Sequence, residues 1–136
     1  MIRYEREVAS EPCVTWTPRK LTGSENPATP AELERFQRAF KLLEGKWKTE
    51  ILWLLSYGPK RFNELRRLMP NITQHMLSMR LRELEEIGFV VRVEYDESLP
   101  RVEYYITEPV VDLTNMFRAF LDWADRYPVF FDKEHR

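Results

Sequence analysis

The sequence predicts a mainly α-helical chain with one small β-hairpin, an α+β class weighted heavily toward helix. Apolar residues recur at three- and four-residue spacing in successive stretches from Leu33 to Ala124. The period drops to two in one place, "FVVRVEY" followed by "RVEYYI". Residues that start or stop helices stand between these stretches: Thr29-Pro30, Gly58-Pro59, Pro70 and Gly88.

The first helix is expected to open at Thr29. Thr29 is an N-cap residue, Pro30 suits the first helical position, and Glu32 completes a capping box. Leu33, Phe36, Phe40 and Leu43 then form one apolar stripe, with Gly45 as the stop. In "KWKTEILWLLSYG", Trp47, Ile51, Leu54 and Leu55 make the inner face of a second helix. "FNELRRLM" is a third, short helix, apolar at Leu65, Leu68 and Met69, which Pro70 ends. "PNI" leads to Thr73, the N-cap of a fourth helix reaching Gly88, with Leu77, Leu81 and Leu84 inward and the stripe continuing toward Ile87. In the hairpin, Val91, Val93 and Tyr95 share one face of the first strand, and Val102, Tyr104 and Ile106 one face of the second, across the turn "DESLP". The last helix begins at Thr107 or Glu108 with Pro109 in its first turn, and carries Val110, Leu113, Met116, Phe117, Phe120, Leu121 and Ala124.

The last three helices before the hairpin, the final two joined by only "PNI", followed by two strands, have the order of a winged helix-turn-helix. Residues 1–29 are read as an N-terminal arm rich in Pro, Ser and Thr, 30–127 as the domain with its flanking helices, and 128–136 as a tail.

At 136 residues the chain suits one domain with a modest core, and 43% hydrophobic residues exclude wholesale disorder. No apolar run approaches the roughly 18 residues of a membrane span, and "MIRYEREVAS" lacks the apolar core of a secretory signal. The expected location is the cytoplasm, with no membrane partner. Cys13 is the only cysteine, which excludes an intrachain disulfide and a cysteine-rich metal site. It is either an incidental thiol in the arm, a redox-sensing thiol or a bridge to a second subunit.

The net charge of −1 conceals a strong division. Residues 1–45 sum to zero, 46–82 to +6 and 83–136 to −7. A basic middle can attract a polyanion although the whole chain is slightly negative. Within that middle, "NITQHMLSMRLRELEEIG" has no acid in its first half and crowds Glu83, Glu85 and Glu86 at its end. This order opposes the helix dipole, which favours acids at the N-terminus. It suits a helix whose N-terminus is offered to phosphate, since an acid there would repel a duplex.

In a helix-turn-helix the second helix enters the major groove with its N-terminal residues nearest the bases. The base-reading candidates are therefore Thr73, Gln74, His75, Ser78, Met79 and Arg82. Gln pairs with adenine, Arg with guanine, Ser with either, and Met79 can meet a thymine methyl. Lys60, Arg61, Arg66 and Arg67 are phosphate candidates, which position without reading sequence. Arg101 at the hairpin tip is a candidate for an adjacent minor groove, although Asp96 and Glu97 beside it argue against a strong grip. His75 has no second His, and no Cys, Asp or Glu completes a ligand set around it. No nucleophile–base pair or glycine-rich phosphate loop is visible, so no catalytic residue, metal or cofactor is assigned.

In combination and order, "LLEGKWKTEILWLL", "GPKRFNELRRLMPNITQHMLSMRLRELEEIGFVVR", "PRVEYYIT" and "FLDWAD" resemble the HxlR-type transcriptional regulators of bacteria and archaea, over about residues 42–125. The resemblance implies a homodimer bound to an inverted repeat near a promoter, joined through its terminal helices. Here Leu33, Phe36, Phe40 and Leu43, with Leu113, Met116, Phe117, Phe120 and Leu121, fit that role. These surfaces are also larger than a small three-helix core needs, a separate sign of association. Two departures stand out. Some relatives sense oxidants through a cysteine just ahead of the first conserved helix, whereas Cys13 lies well upstream of "GKW". Pro109-Val110 stands where relatives often continue with glycine after "TE".

The leading expectation is a sequence-specific regulator of double-stranded DNA, acting as a homodimer, with residues 73–87 in the major groove and 89–106 as wing. The rival is a winged-helix protein-interaction module that uses the same basic face on an acidic partner. The sequence names neither the operator nor a small-molecule inducer.

Overall fold

Thr29 opens the first helix with a reciprocal pair of bonds: the Glu32 amide donates to Thr29 Oγ1 at 3.2 Å, and the Thr29 amide donates to Glu32 Oε2 at 2.9 Å. The capping box thus satisfies two amides at the helix start. In a computed structural model, which describes residues 4–6, 14–16 and 29–131, this helix is α1 (Pro30–Lys41). It follows β1 (Tyr4–Arg6) and β2 (Val14–Trp16) and precedes α2 (Lys48–Leu55), α3 (Phe62–Leu68) and α4 (Gln74–Ile87). Then come β3 (Val90–Tyr95), β4 (Arg101–Ile106), α5 (Glu108–Arg126) and a 3₁₀ turn, Pro128–Phe130. Cys13 and His135 lie outside the described residues.

The chain divides into two units, Met1–Gln37 and Arg38–Arg136. In the first, β1 and β2 pair antiparallel, Tyr4 opposite Trp16 and Arg6 opposite Val14. The sequence suggests no regular structure there, because three-residue strands are too short to leave a period.

The second unit holds the core. Ile51, Leu52 and Leu55 of α2, Leu65 of α3, and Leu77, Leu81 and Leu84 of α4 are all at most 1% exposed. Met69, Ile72, Val90, Tyr104 and Val110 complete the cluster. Each fully buried aliphatic side chain contributes about 1.5–3 kcal/mol relative to exposure. Gly88 ends α4 in the left-handed conformation at φ 93°, and the Phe89 amide turns back to Leu84 O at 2.9 Å.

Three details depart from the periodicity. α2 begins one residue after Trp47, which sits at φ 82° ahead of the helix, so Leu52 is buried while Trp47 and Leu54 are partly so. Leu68 and Ile87 are exposed, each on the last turn of a short helix. The first strand of the hairpin is also inverted. Register pairs Val90 with Ile106, Arg92 with Tyr104 and Glu94 with Val102, and paired residues share a face. Val90 and Tyr104 are buried, which turns Val91, Val93 and Tyr95 to the outer side. The cause is a tether: the Lys60 amide donates to Tyr104 O at 3.2 Å, and the Tyr104 amide to Lys60 O at 2.8 Å. With β4 fixed in this way, one residue of register decides every side in β3.

Thr107 begins α5, donating from Oγ1 to Gly88 O at 2.7 Å. Pro109 falls in the first turn, where its missing amide costs nothing, and Val110 is fully buried. No described helix is long and apolar enough to cross a membrane.

Candidate nucleic-acid interface

α3 and α4 are joined by a turn whose Ile72 is 6% exposed, which pins the connection to the core. The Ile72 amide donates to Met69 O at 3.1 Å. At the head of α4 the Met76 amide donates to Thr73 Oγ1 at 3.0 Å, so the cap that the sequence suggests is formed. The first turn contains no acid and the last no base. Since Leu77, Leu81 and Leu84 face the core, helical geometry turns His75, Met79 and Arg82 to the opposite side, with Gln74 and Ser78 on its flank. Thr73, Gln74, His75 and Arg82 are exposed; Ser78 and Met79 are half-buried.

The bases of the middle segment divide into two groups. Arg61, Arg66, Arg67 and Arg82 are exposed and, among the described residues, form no ion pair. Arg61 caps α3, where its amide donates to Glu64 Oε1 at 3.1 Å. Arg66 and Arg67 line a shallow polar groove with Asn63, Pro70 and Ile72. Lys60 is half-buried and its Nζ donates to Gly58 O at 3.3 Å. Lys48 and Arg80 instead turn inward: Lys48 Nζ lies 3.3 Å and Arg80 NH1 2.9 Å from the same Glu83 oxygen. The Arg80 hydrogen bond, aided by Lys48 and opposed by desolvation, holds the Glu83 carboxyl below its ordinary range. The 80/83 spacing is a sequence signal for one of these pairs. The link to Lys48, far away in the chain, leaves none.

Arg101 is drawn into the wing. Its guanidinium lies 4.2 Å from the centre of the Tyr95 ring, and it meets Glu97 at 3.6 Å and Glu103 at 3.4 Å. Its Nε is buried without a hydrogen bond of good geometry. Beside it the Tyr95 and Tyr105 hydroxyls share a hydrogen bond, and Tyr105 donates to Glu103 at 3.1 Å. These contacts push the Tyr105 hydroxyl pKa upward, the Tyr95 bond most.

Away from this face lies an apolar groove of about 530 Å³, lined by Phe40, Leu43, Trp53, Met116, Phe117, Phe120 and Leu121, with Glu44, Thr49 and Glu50. Phe120 is 67% exposed, while Leu113 and Phe117 are half-buried. Trp123 stacks on Phe120 at 5.8 Å and on Phe130 at 6.1 Å, extending the aromatic surface past the end of α5. Leu33 and Phe36, on the first unit's part of α1, are both exposed.

The family profile described as HxlR-like helix-turn-helix matches residues 42–129. The HTH-type transcriptional regulator YdeP of Bacillus subtilis is 44% identical over 92 residues, 68% of this chain and 72% of its own. Among solved structures, the redox regulator HypR in its reduced form is similar at a TM-score of 0.64 and 37% identity, covering 69% of this chain and 93% of that one. Reduced YodB, a transcriptional regulator from B. subtilis, gives 0.62 and 36%, covering 74% and 95%.

Proposed function

This chain belongs to the HxlR-like helix-turn-helix family of DNA-binding transcriptional regulators, and on that premise we propose which of its residues meet DNA and how two copies do so together. α4 enters the major groove, where Gln74, His75, Ser78, Met79 and Arg82 face base edges and Thr73 holds the helix start. Arg61, Arg66 and Arg67 sit against phosphates, with Lys60 nearby. Arg101 reaches a minor groove only after leaving Glu97 and Glu103, so the wing adds little to affinity. The observation that carries this reading is α4 itself: a leucine-anchored helix whose acid-free first half carries Gln74 and His75 exposed at its start.

The functional unit in this proposal is a homodimer on an inverted repeat. Its contact surface in the second unit is built from Phe40, Leu43, Leu113, Met116, Phe117, Phe120 and Leu121, and Leu33 and Phe36 of the first unit are proposed as partner contacts in their own right. The exposure of Phe120, Met116 and Leu121 supports this, since large contiguous apolar patches mark association sites. Two recognition helices then address half-sites about 34 Å apart. The role is one of binding, without a catalytic step. Cys13, the sole thiol, extends the proposal to redox control, on the ground of similarity to the redox regulator HypR. Identical DNA binding and release by Cys13→Ser and wild type, with and without oxidant, would remove that extension.

Selection of bound duplexes from a random pool tests the whole reading, because it returns both preference and half-site spacing. On the selected duplex, Gln74→Ala or Ser78→Ala is expected to weaken binding while leaving shuffled duplex unchanged. Arg61→Ala is expected to weaken both and lower the salt slope by about 1. Recovery of no preferred sequence, or no duplex binding at low salt, contradicts the proposal.

A further inference from the structure

The charges of α4 that do not face outward are organised around a single carboxylate. Arg80 NH1 donates to both oxygens of Glu83, at 3.1 and 2.9 Å, and Lys48 Nζ approaches one of them at 3.3 Å. Arg80 Nε donates to the backbone carbonyl of Lys46 at 2.9 Å. The side chains of Lys48 and Arg80 are only 11% and 18% exposed. The guanidinium therefore joins α4 to the segment between α1 and α2 through one hydrogen bond, to the Lys46 carbonyl, while its other two hold Glu83 within α4, where Glu83 meets Lys48 at the start of α2.

That segment is conformationally set. Gly45 has φ 119° and Trp47, a bulky residue, φ 82°. A positive φ at a non-glycine residue persists only where its surroundings hold it. The Lys48 amide donates to Gly45 O at 3.3 Å and the Ile51 amide to Trp47 O at 3.0 Å. A Cβ on Gly45 would stand 3.2 Å from Lys48 Cε and 3.4 Å from Arg80 NH1. The turn and the charged cluster thus fit each other closely, and a methyl group there would require these side chains to give by a few tenths of an ångström.

The remaining anchorage of α4 is apolar. Leucine contacts are non-directional and resist small slides and rolls weakly. Charge-assisted hydrogen bonds fix both direction and distance, and here the Arg80 Nε bond to Lys46 and the Lys48–Glu83 pair cross between elements. Base readout needs side chains placed within about 0.5 Å. We infer that Arg80, Glu83 and Lys48 are positioning residues, which lock the rotation and slide of the recognition helix against the Gly45–Trp47 turn and do not touch DNA. The inference rests on α4 being the recognition helix. It also divides the +6 of the middle segment: two of those bases serve geometry rather than attraction.

The test uses the full chain, a duplex that the wild type selects from a random pool, and a shuffled duplex of the same length. Arg80→Gln is expected to lose about tenfold on the selected duplex, the cost of one misread base pair, with little change on the shuffled one. Its salt slope is expected to equal that of the wild type, since no phosphate contact is lost. Arg80→Lys keeps the charge but cannot hold the Lys46 carbonyl and Glu83 at once with a planar guanidinium, and is expected to show most of the same loss. Glu83→Gln is expected to follow it, although it removes an acid and should favour DNA electrostatically. Uniform weakening on both duplexes with a slope lower by about 1, and recovery in Arg80→Lys, would make Arg80 a phosphate contact and overturn the inference. Wild-type behaviour of all three variants would overturn it equally. Should Arg80→Gln not fold, Arg80→Lys and Glu83→Gln decide the matter. Failure of the wild type to select any duplex instead sinks the recognition-helix reading beneath it.

Discussion

Glu83 shows how one side chain can oppose its helix dipole and still stabilise the fold. It stands in the second half of α4, where an acid is disfavoured by the partial charge of the helix end. Arg80 and Lys48 more than compensate, and the carboxyl titrates below its ordinary value of 4.5. A lowered folded pKa means that ionised Glu83 stabilises the native state. That contribution is fully present above the ordinary value and is lost as pH falls through the lower, folded one. Urea unfolding of wild type and Glu83→Gln is expected to differ most near neutrality, with the difference closing in acid below 4.5. A difference that held constant across that range would show that the ion pairs contribute no stability. At the same scale, Arg101 illustrates a residue whose type was legible and whose surroundings were not. Its position at the hairpin tip is plain in "LPRVEY", but the cross-strand neighbours that draw it inward, Tyr95 and Glu103, depend on register.

Among the elements, α4 was the most legible, and for identifiable reasons. Its cap, its leucine spacing and its terminal glycine are all local, and each agrees with the others. With no acid in the first turn to help, the Thr73 hydroxyl carries the capping of that end. Thr73→Ala is expected to destabilise the protein by about 1 kcal/mol in denaturant unfolding, with Thr73→Ser close to wild type. An Ala variant as stable as wild type would mean that the hydroxyl adds nothing to the helix. β3 was legible as a strand but not in its orientation. Val91, Val93 and Tyr95 form the apolar parity while Val90 shares its side with Arg92 and Glu94, so alternation pointed to the face that folding turns outward. The Lys60–Tyr104 bridge, between residues far apart in sequence, made the choice. The helix boundary at Trp47 was hidden for a related reason. A tryptophan gives no local sign of a left-handed backbone, which arises here from the packing of the turn.

For the whole molecule, the notable quantity is the apolar surface left over. Phe120, Met116, Leu121 and Trp123 are exposed along α5, beside a groove that Phe40 and Trp53 also line. Among the described residues, a core of twelve buried side chains closes without them. If two copies meet there, Phe120→Asp is expected to give a folded monomer by sedimentation and to bind the selected duplex much more weakly. Thermal stability should change little per chain, since the residue is 67% exposed. A dimer that survived the substitution with unchanged DNA affinity would place the contact elsewhere.

Local chemistry in the sequence determined the helices, their caps, the winged order of elements and the leucine face on which α4 rests. Those features follow from spacing, turn residues and charge sign within a dozen positions of one another. Tertiary structure alone decided which basic residues remain outward. The Arg80–Glu83 pair is local to α4, but Lys48 closes on Glu83, and Arg80 on the Lys46 carbonyl, because folding brings the α1–α2 turn beside α4. The charge of a segment is additive along a sequence; its availability to DNA depends on which distant carboxylate each cation meets.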